Sequence, residues 1–155
     1  RQVSVATAWA EPTEFGRRLG LNHGLGVRRS IRPLFAAIDA RPDEVLATYS
    51  DGSVAVAMRR TPHGASVFSG PPSLNEDLLR LAAREAGVHL FTQSDCNVCA
   101  NGPYLLLHAA RDGPVELNTG NSNSIRDVLS GKLLGRGPQL TLELRKGATR
   151  ILAVE

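Results

Sequence analysis

Alternating apolar and polar residues in the middle of the chain predict strands. Val45–Tyr49 and Val54–Met58 are β-rich runs on either side of Ser50-Asp51-Gly52-Ser53. The Asp-Gly pair supplies the positive-φ residue that a tight hairpin turn requires. A third strand, Ala65–Ser69, is expected after the turn at His63-Gly64. We therefore expect a β-hairpin followed by a third strand in this region.

The N-terminal region has a weaker pattern. Val3–Trp9 alternates like a half-buried strand, and the polar, Gly-rich stretch Glu11–Gly26 then predicts a long loop. Pro33–Ile38 is a short apolar run that fits either a strand or a helical turn, because periodicity cannot decide over so few residues. We favour the strand.

A single helix is clearly indicated, over about Leu74–Ala86. Ser73 and Glu76 have the spacing of a capping box, and Gly87 stands where a left-handed C-terminal cap belongs. The apolar residues recur at one-turn spacing or widen the same stripe: Leu74, Leu78, Leu79, Leu81, Ala82 and Ala86. A strand at Val88–Phe91 would complete a β-β-β-α-β order, which suits one edge of a layered α/β sheet.

The last third of the chain has no strong helical pattern. Four strands separated by Gly-, Asn- and Asp-rich turns are expected: Tyr104–Ala109, Pro114–Thr119, Leu140–Leu144 and Thr149–Val154. The predicted fold class is mixed α+β. A β-rich α/β segment with one well-defined helix, residues 1–93, precedes a small antiparallel β-sandwich, residues 94–155.

The composition suits a soluble globular protein. The 155 residues are 42% hydrophobic, enough for a packed core. No apolar run approaches the roughly 18 residues that span a bilayer, so no membrane association is expected. The start at Arg1 lacks an initiator Met and a signal-peptide pattern, which leads us to expect a fragment of a larger protein. The cellular compartment stays open.

The net charge of +3 comes largely from arginines near the N-terminus: Arg17, Arg18, Arg28, Arg29 and Arg32. Guanidinium groups around a Gly-rich loop can bind phosphate or carboxylate, so these residues are the candidate contact to an anionic partner. A solvated loop, or salt bridges to another domain or subunit, is the favoured alternative. Nucleic acid is not an expected partner, because no aromatic residues are interleaved for base stacking.

Catalytic and cofactor motifs do not emerge from the sequence. G-x-S-x-G is missing, and Gly20–Gly26 lacks the preceding strand and following helix of a dinucleotide site. Gly131-Lys132 lacks the upstream Gly and the Ser or Thr of a P-loop. The carboxylates form no marked pair. We therefore predict no catalytic residue and no cofactor in this chain.

A metal site is not predicted either. The four histidines share no ligand spacing: His23 and His63 fit turns, and His89 and His108 fit hydrogen-bonded positions in apolar strands. Cys96 and Cys99 form a lone C-x-x-C, to which a structural zinc site would have to add two ligands. The alternative with a chemical function is a redox-active pair, but the acidic, turn-like setting favours two ordinary thiols near the domain boundary.

Several stretches from Glu44 to the C-terminus resemble the C-terminal part of β-galactosidase-like glycoside hydrolases. They are 45–56, 65–70, 78–89, 100–109, 127–132 and 142–150, which begin Val45-Leu46-Ala47, Ala65-Ser66-Val67, Leu78-Leu79-Arg80, Ala100-Asn101-Gly102, Asp127-Val128-Leu129 and Leu142-Glu143-Leu144. The segment Ser94–Cys99 departs from the apolar and aromatic residues of that pattern. In such enzymes a catalytic TIM barrel precedes an amidotransferase-like trimerisation domain and a small β-domain.

The resemblance implies that residues 45–90 end an amidotransferase-like α/β layer and that the tail is the terminal β-domain. The catalytic carboxylates would belong to a barrel that these residues do not include. The expected role is a non-catalytic accessory and oligomerisation module, whose partners are other domains of a parent protein, further copies of itself and, through the parent, a carbohydrate substrate. The alternatives are an independent anion-binding module using Arg17–Arg32, and a free-standing enzyme using Asp51, His63 or His89.

Overall fold

Residues Arg1–Glu155 are all described by a computed structural model, in which the chain forms two units, Arg1–Val88 and His89–Glu155. The division falls after Val88, whereas the sequence places it after Gln93. Strands dominate both units, and the one substantial helix lies in the first. This confirms the mixed, β-rich fold class. Neither α-helix has the length and apolar character needed to cross a membrane.

The first unit is built on an antiparallel five-stranded sheet with the strand order β3-β2-β5-β6-β7. A separate short pair joins β1 to β4. The strands are β1 Gln2–Val3, β2 Ala8–Pro12, β3 Leu25–Val27, β4 Leu34–Phe35, β5 Val45–Tyr49, β6 Val54–Thr61 and β7 Gly64–Ser69. The predicted hairpin and third strand are confirmed as β5, β6 and β7. The antiparallel order replaces the predicted α/β layering.

The predicted loop Glu11–Gly26 is wrong in part, because it contains the end of β2, a short helix α1, Glu14–Arg18, and the start of β3. Thr13 caps α1: its hydroxyl accepts the Gly16 N–H at 3.0 Å and donates to the Val45 carbonyl at 2.7 Å. A Cβ at Gly16 would lie 2.1 Å from the Leu46 carbonyl oxygen. Helix α1 can therefore pack directly on the β5 backbone only because residue 16 is glycine.

Helix α2 spans Glu76–Glu85, so it begins two residues after the predicted start. The predicted capping box at Ser73 is wrong, because the Asn75 side chain is the cap and accepts the Leu78 N–H at 3.0 Å. Leu78 and Leu81 face the core, whereas Leu74 and Leu79 are exposed. The later start puts Asp77 in the first turn, where its carboxylate receives long-range hydrogen bonds.

The strand predicted at Val88–Phe91 is not formed. Gly87, at φ +71°, donates to the Arg84 carbonyl, and Val88 donates to the Ala83 carbonyl at 2.9 Å. These are the two bonds of a Schellman motif. Val88 therefore completes the helix end and leaves its side chain 56% exposed, and the predicted β-β-β-α-β order does not arise.

The second unit is a small antiparallel β-sandwich, as predicted. A five-stranded sheet of order β12-β11-β14-β9-β8 is accompanied by the ribbon β10-β13. The strands are β8 Cys96–Asn101, β9 Tyr104–Ala109, β10 Gly113–Asn118, β11 Ser124–Asp127, β12 Leu133–Arg136, β13 Gln139–Leu144 and β14 Thr149–Val154. Side chains from both sheets form one core, including Leu105, Leu107, Leu117 and Leu152. The four predicted strands are present, and β8, β11 and β12 were not predicted.

Candidate functional sites

The predicted arginine contact residues lie on exposed parts of the first unit. Arg17 and Arg18 are in the last turn of α1, where Arg18 pairs with Glu14 one turn earlier. Arg32 donates to the Ser4 hydroxyl at 3.1 Å. These contacts are solvent-exposed, so they constrain the side chains weakly and leave the charges accessible.

Arg28 has a more specific environment than the other arginines. Its guanidinium lies 4.4 Å from the centre of the Trp9 ring, a cation–π arrangement. The Trp9 indole N–H donates to Glu11 Oε1 at 2.6 Å, and that carboxylate also lies 3.9 Å from Arg28. A Cβ on Gly24 would lie 2.2 Å from the indole ring, so the ring packs closely on the loop before β3.

A group that sequence reasoning missed joins this loop to helix α2. Asp77 is only 5% exposed, and its Oδ2 accepts the N–H groups of Asn22 and His23 at 2.8 and 3.0 Å. The His23 Nδ1 atom lies 3.0 Å from the same oxygen. Burial raises the pKa of Asp77, but the hydrogen bonds from Asn22 and His23 outweigh burial and leave it below its ordinary value.

His23, Glu76 and Asp77 place one possible ligand atom each within 4.8 Å of one another. Imidazole and carboxylate groups can bind zinc. Here the contacts of the buried Asp77 oxygen come from the loop itself, so anchoring the loop accounts for the arrangement. No sequence spacing could have revealed it, because His23 and Asp77 are 54 residues apart.

A second buried carboxylate, Glu44, ends the short 3₁₀ turn Pro42–Glu44 and is 3% exposed. Arg59 donates to both of its oxygens, at 2.9 and 3.0 Å, and the Arg41 N–H donates at 3.0 Å. These bonds, that of Arg59 foremost, lower the pKa of Glu44 to about 2. Arg59 also donates to the Asp39 carbonyl at 2.9 Å, so the group ties the 39–44 segment to β6.

The residues of the enzyme alternative, Asp51, His63 and His89, and the fourth histidine, His108, each have a local environment of their own. Asp51 accepts the N–H and hydroxyl of Ser53 within the hairpin turn. His63 lies exposed in the β6–β7 turn. His89 is exposed, and its Nε2 lies 2.8 Å from the Asn118 carbonyl oxygen, so its predicted place inside an apolar strand is wrong. His108 is half-buried, with Nδ1 2.9 Å from the Thr149 hydroxyl.

The two cysteines lie on strand β8 and not in the predicted turn-like setting. Both are free thiols. Residues three apart on a strand point to opposite faces, and accordingly Cys96 packs against the core while Cys99 is exposed. Burial raises the pKa of the Cys96 thiol. Since a disulfide requires Cβ atoms that face each other, this strand holds the pair as separate thiols.

The second unit has an open cleft of about 310 Å³ over the ribbon β10-β13 and the segment before β8. Glu116 stands opposite Thr141, and Asn118 stands opposite Gln139. Thr92, which forms a β-bridge with Leu117, and Gln93 complete the polar lining. Leu90, Leu117 and Leu140 provide the apolar part. No sequence motif marks this cleft, because its residues come from three separate segments.

No family model and no curated protein matches this chain. Among solved structures, the chain is similar to the β-galactosidase from Bacillus circulans sp. alkalophilus, with a TM-score of 0.48 and 22% sequence identity. The match covers 72% of this chain and 18% of that chain. The chain thus spans less than a fifth of the length of that protein.

Proposed function

We propose that this chain is a non-catalytic accessory and oligomerisation module of a β-galactosidase-like glycoside hydrolase. The proposal rests on two groups of large apolar side chains that are exposed on the surface. One group lies on or beside α2, and the other lies in and next to the β11–β12 turn. These residues, between 42% and 79% exposed, are Leu74, Leu79 and Val88 in the first group and Val128, Leu129 and Leu133 in the second. Exposed apolar groups of this kind are typical of protein contact surfaces.

The buried polar groups, by contrast, are hydrogen-bonded within the chain. Every buried side-chain nitrogen and oxygen has a hydrogen-bond partner, and the deepest carboxylates are used to hold loops and turns. A chain whose buried polar groups bond only within its own fold, and which also exposes several large apolar side chains, is suited to docking. The sequence resemblance from Glu44 onward supplies the class of parent enzyme.

Light scattering coupled to size-exclusion chromatography tests the oligomerisation role. We expect a concentration-dependent oligomer that Leu129→Asp or Leu79→Asp dissociates, since a charge placed in an apolar interface is costly. Asn97→Asp adds the same charge at an exposed position of β8 and should leave the mass unchanged. A monomer at all concentrations would contradict this role.

A glycosidase assay tests the non-catalytic part. The chain alone should not hydrolyse a nitrophenyl galactoside, whereas the full reading frame, if it encodes a barrel, should. Hydrolysis by the isolated chain that survives repurification would overturn the proposal.

The alternative is an independent module that binds an anionic partner through Arg17–Arg32. It is favoured by Arg17 and Arg29, which are exposed and form no ion pair within the chain. Binding to heparin at low salt should then weaken steeply as salt rises and should be lost in Arg17→Ala/Arg29→Ala. Matched retention of this variant and the unmodified chain would exclude the alternative.

A further inference from the structure

The geometry points to the cleft of the second unit as a binding site for a neutral saccharide. The choice of a sugar among uncharged polar ligands rests on the function proposed above. The cleft itself is defined by the contacts of this unit alone. Its volume of about 310 Å³ lies at the lower end of the range of about 300–1,000 Å³ typical of small-ligand pockets.

The charge of the cleft selects against anionic ligands. No lysine or arginine lines it, and Glu116 is its only carboxylate. An anionic ligand would therefore meet no counter-charge. The other polar groups of the lining are carboxamides and hydroxyls, which both donate and accept hydrogen bonds. This combination matches a ligand rich in hydroxyl groups.

Four of the polar side chains have free hydrogen-bonding capacity. Those of Asn118 and Thr92 accept the N–H groups of Gly120 and Ser94, at 2.9 and 3.0 Å, and are fixed by the fold. The side chains of the other four polar lining residues form no hydrogen bond or ion pair within the chain; these are Gln93, Glu116, Gln139 and Thr141. Their groups are available to a ligand.

The strand register places these groups on one face. Glu116 and Thr141 form a cross-strand pair, and Gln139 lies two residues from Thr141 on the same strand. Paired side chains on neighbouring strands are about 5 Å apart, a separation comparable to the width of a pyranose ring. Leu90, which is half-buried, offers apolar surface for the C–H face of the sugar, whereas Leu140 alternates with Gln139 and Thr141 and packs against the core. Hydrogen bonds from the ribbon and apolar contact with Leu90 would hold the ring in one orientation.

An NMR titration of the whole chain with lactose tests the site. We expect saturable amide shifts confined to residues 90–93, 116–118 and 139–141. Sorbitol, an acyclic polyol, should produce no such shifts at the same concentration. Lack of a saturable response up to about 0.2 M lactose, a range that reveals even weak millimolar binding, would overturn the inference, and so would an equal response to sorbitol.

Variants assign the binding to the cleft. Gln139→Ala and Glu116→Ala should each weaken lactose binding about three- to tenfold, the range expected for one lost hydrogen bond. Glu143→Ala is the matched control, because Glu143 lies exposed on the same ribbon, opposite Pro114 and outside the cleft. Unchanged amide spectra away from the cleft would show that each variant is folded. Lactose binding that Glu116→Ala and Gln139→Ala leave unaltered would place the site elsewhere and contradict the inference.

The outcomes for this inference and for the proposed function are separable. Oligomerisation without lactose binding would leave the accessory role in place and remove the saccharide site. Lactose binding by a monomeric chain would retain the site and remove the oligomerisation role. Binding of an extended polar peptide to the same cleft, without lactose binding, would replace the sugar by a protein ligand.

Discussion

The two units handle buried acidic groups differently. In the first unit, Glu44 and Asp77 each attach an irregular segment to a strand or a helix. Asp77 holds a loop more than 50 residues earlier, and Glu44 is held by Arg59, 15 residues later. In the second unit, Asp127 closes its own turn, where it accepts the N–H and hydroxyl of Ser130, and it also accepts a hydrogen bond at 3.2 Å from Arg150 on strand β14.

The contrast follows from the strand content of each unit. The first unit contains irregular segments that no sheet ladder can fix, so polar groups anchor them. The second unit is almost entirely strand and turn, and its ladders position the chain directly. Charged groups should therefore contribute more to the stability of the first unit than to that of the second, whereas apolar packing should contribute to the stability of both.

The largest loss of stability should come from a substitution that opens a cavity in either core. Leu46 in the first unit and Leu107 in the second are both fully buried, so Leu46→Ala and Leu107→Ala should each cost about 2–5 kcal/mol of unfolding free energy. Hydrogen exchange read by mass spectrometry should show lost protection in the strands of the altered unit. Equal loss in both units from either variant would mean that they unfold as one body.

A smaller effect is expected from Asp77→Asn, which weakens the acceptor of the Asn22 and His23 N–H groups. Because hydrogen bonds to a charged group are stronger than neutral ones, the unfolding free energy should fall by about 2 kcal/mol. Urea unfolding followed by Trp9 fluorescence reports on this region, because the ring packs on Gly24. The neighbouring Glu76→Gln is the control and should change the midpoint little, since Glu76 is exposed. Equal midpoint shifts for both variants would show that the loop anchor is unimportant.

Acid should destabilise the first unit before the second. The pKa of Glu44 falls from its ordinary 4.5 to about 2, so the ionised carboxylate stabilises the fold above pH 4.5 and that stability is lost as the pH falls towards 2. Asp51, Asp77 and Glu85 in the same unit also have lowered pKa values, whereas in the second unit only Asp127 does.

The acid response can be measured from urea midpoints between pH 7 and about 2. The Glu44→Gln variant should show a shallower decline than the unmodified chain, because it has one fewer group to protonate. Earlier loss of exchange protection in the second unit would contradict the comparison.

The smallest effect concerns the thiols, where no change in stability is expected. Iodoacetamide should label Cys99 faster than Cys96, because Cys99 is exposed and burial raises the pKa of Cys96. Peptide mapping at pH 8 resolves the two rates. Cys99→Ser should abolish the fast phase and Cys96→Ser the slow one. Faster labelling of Cys96 would contradict the strand placement.

Local signals in the sequence predicted what local interactions determine. The Asp51-Gly52 hairpin, the Gly87 helix end and the four strands of the tail arise from neighbouring residues. The start of α2 did not follow from its capping box, because Asn75 is an equally good cap and Asp77 gains distant partners. Strands β8 and β12 lie at sheet edges, where polar residues weaken the alternation that reveals a strand.

The candidate sites were less accessible to sequence reasoning. The arginine cluster is visible because its members are close in sequence, and its role in binding stays a prediction. The Asp77 anchor and the cleft around Glu116 and Gln139 depend on pairings across tens of residues. No periodicity or motif encodes such pairings, so only the folded chain reveals them.

The contact at Gly16 has a consequence for tracing the history of this protein. Any side chain there would collide with the Leu46 carbonyl oxygen, and a backbone atom within a sheet cannot move aside cheaply. Descendants of the same ancestor should therefore retain glycine at this position after most other residues have changed. Together with the Thr13 cap three residues earlier, it provides a fingerprint for recognising distant relatives and for checking the register of their alignments.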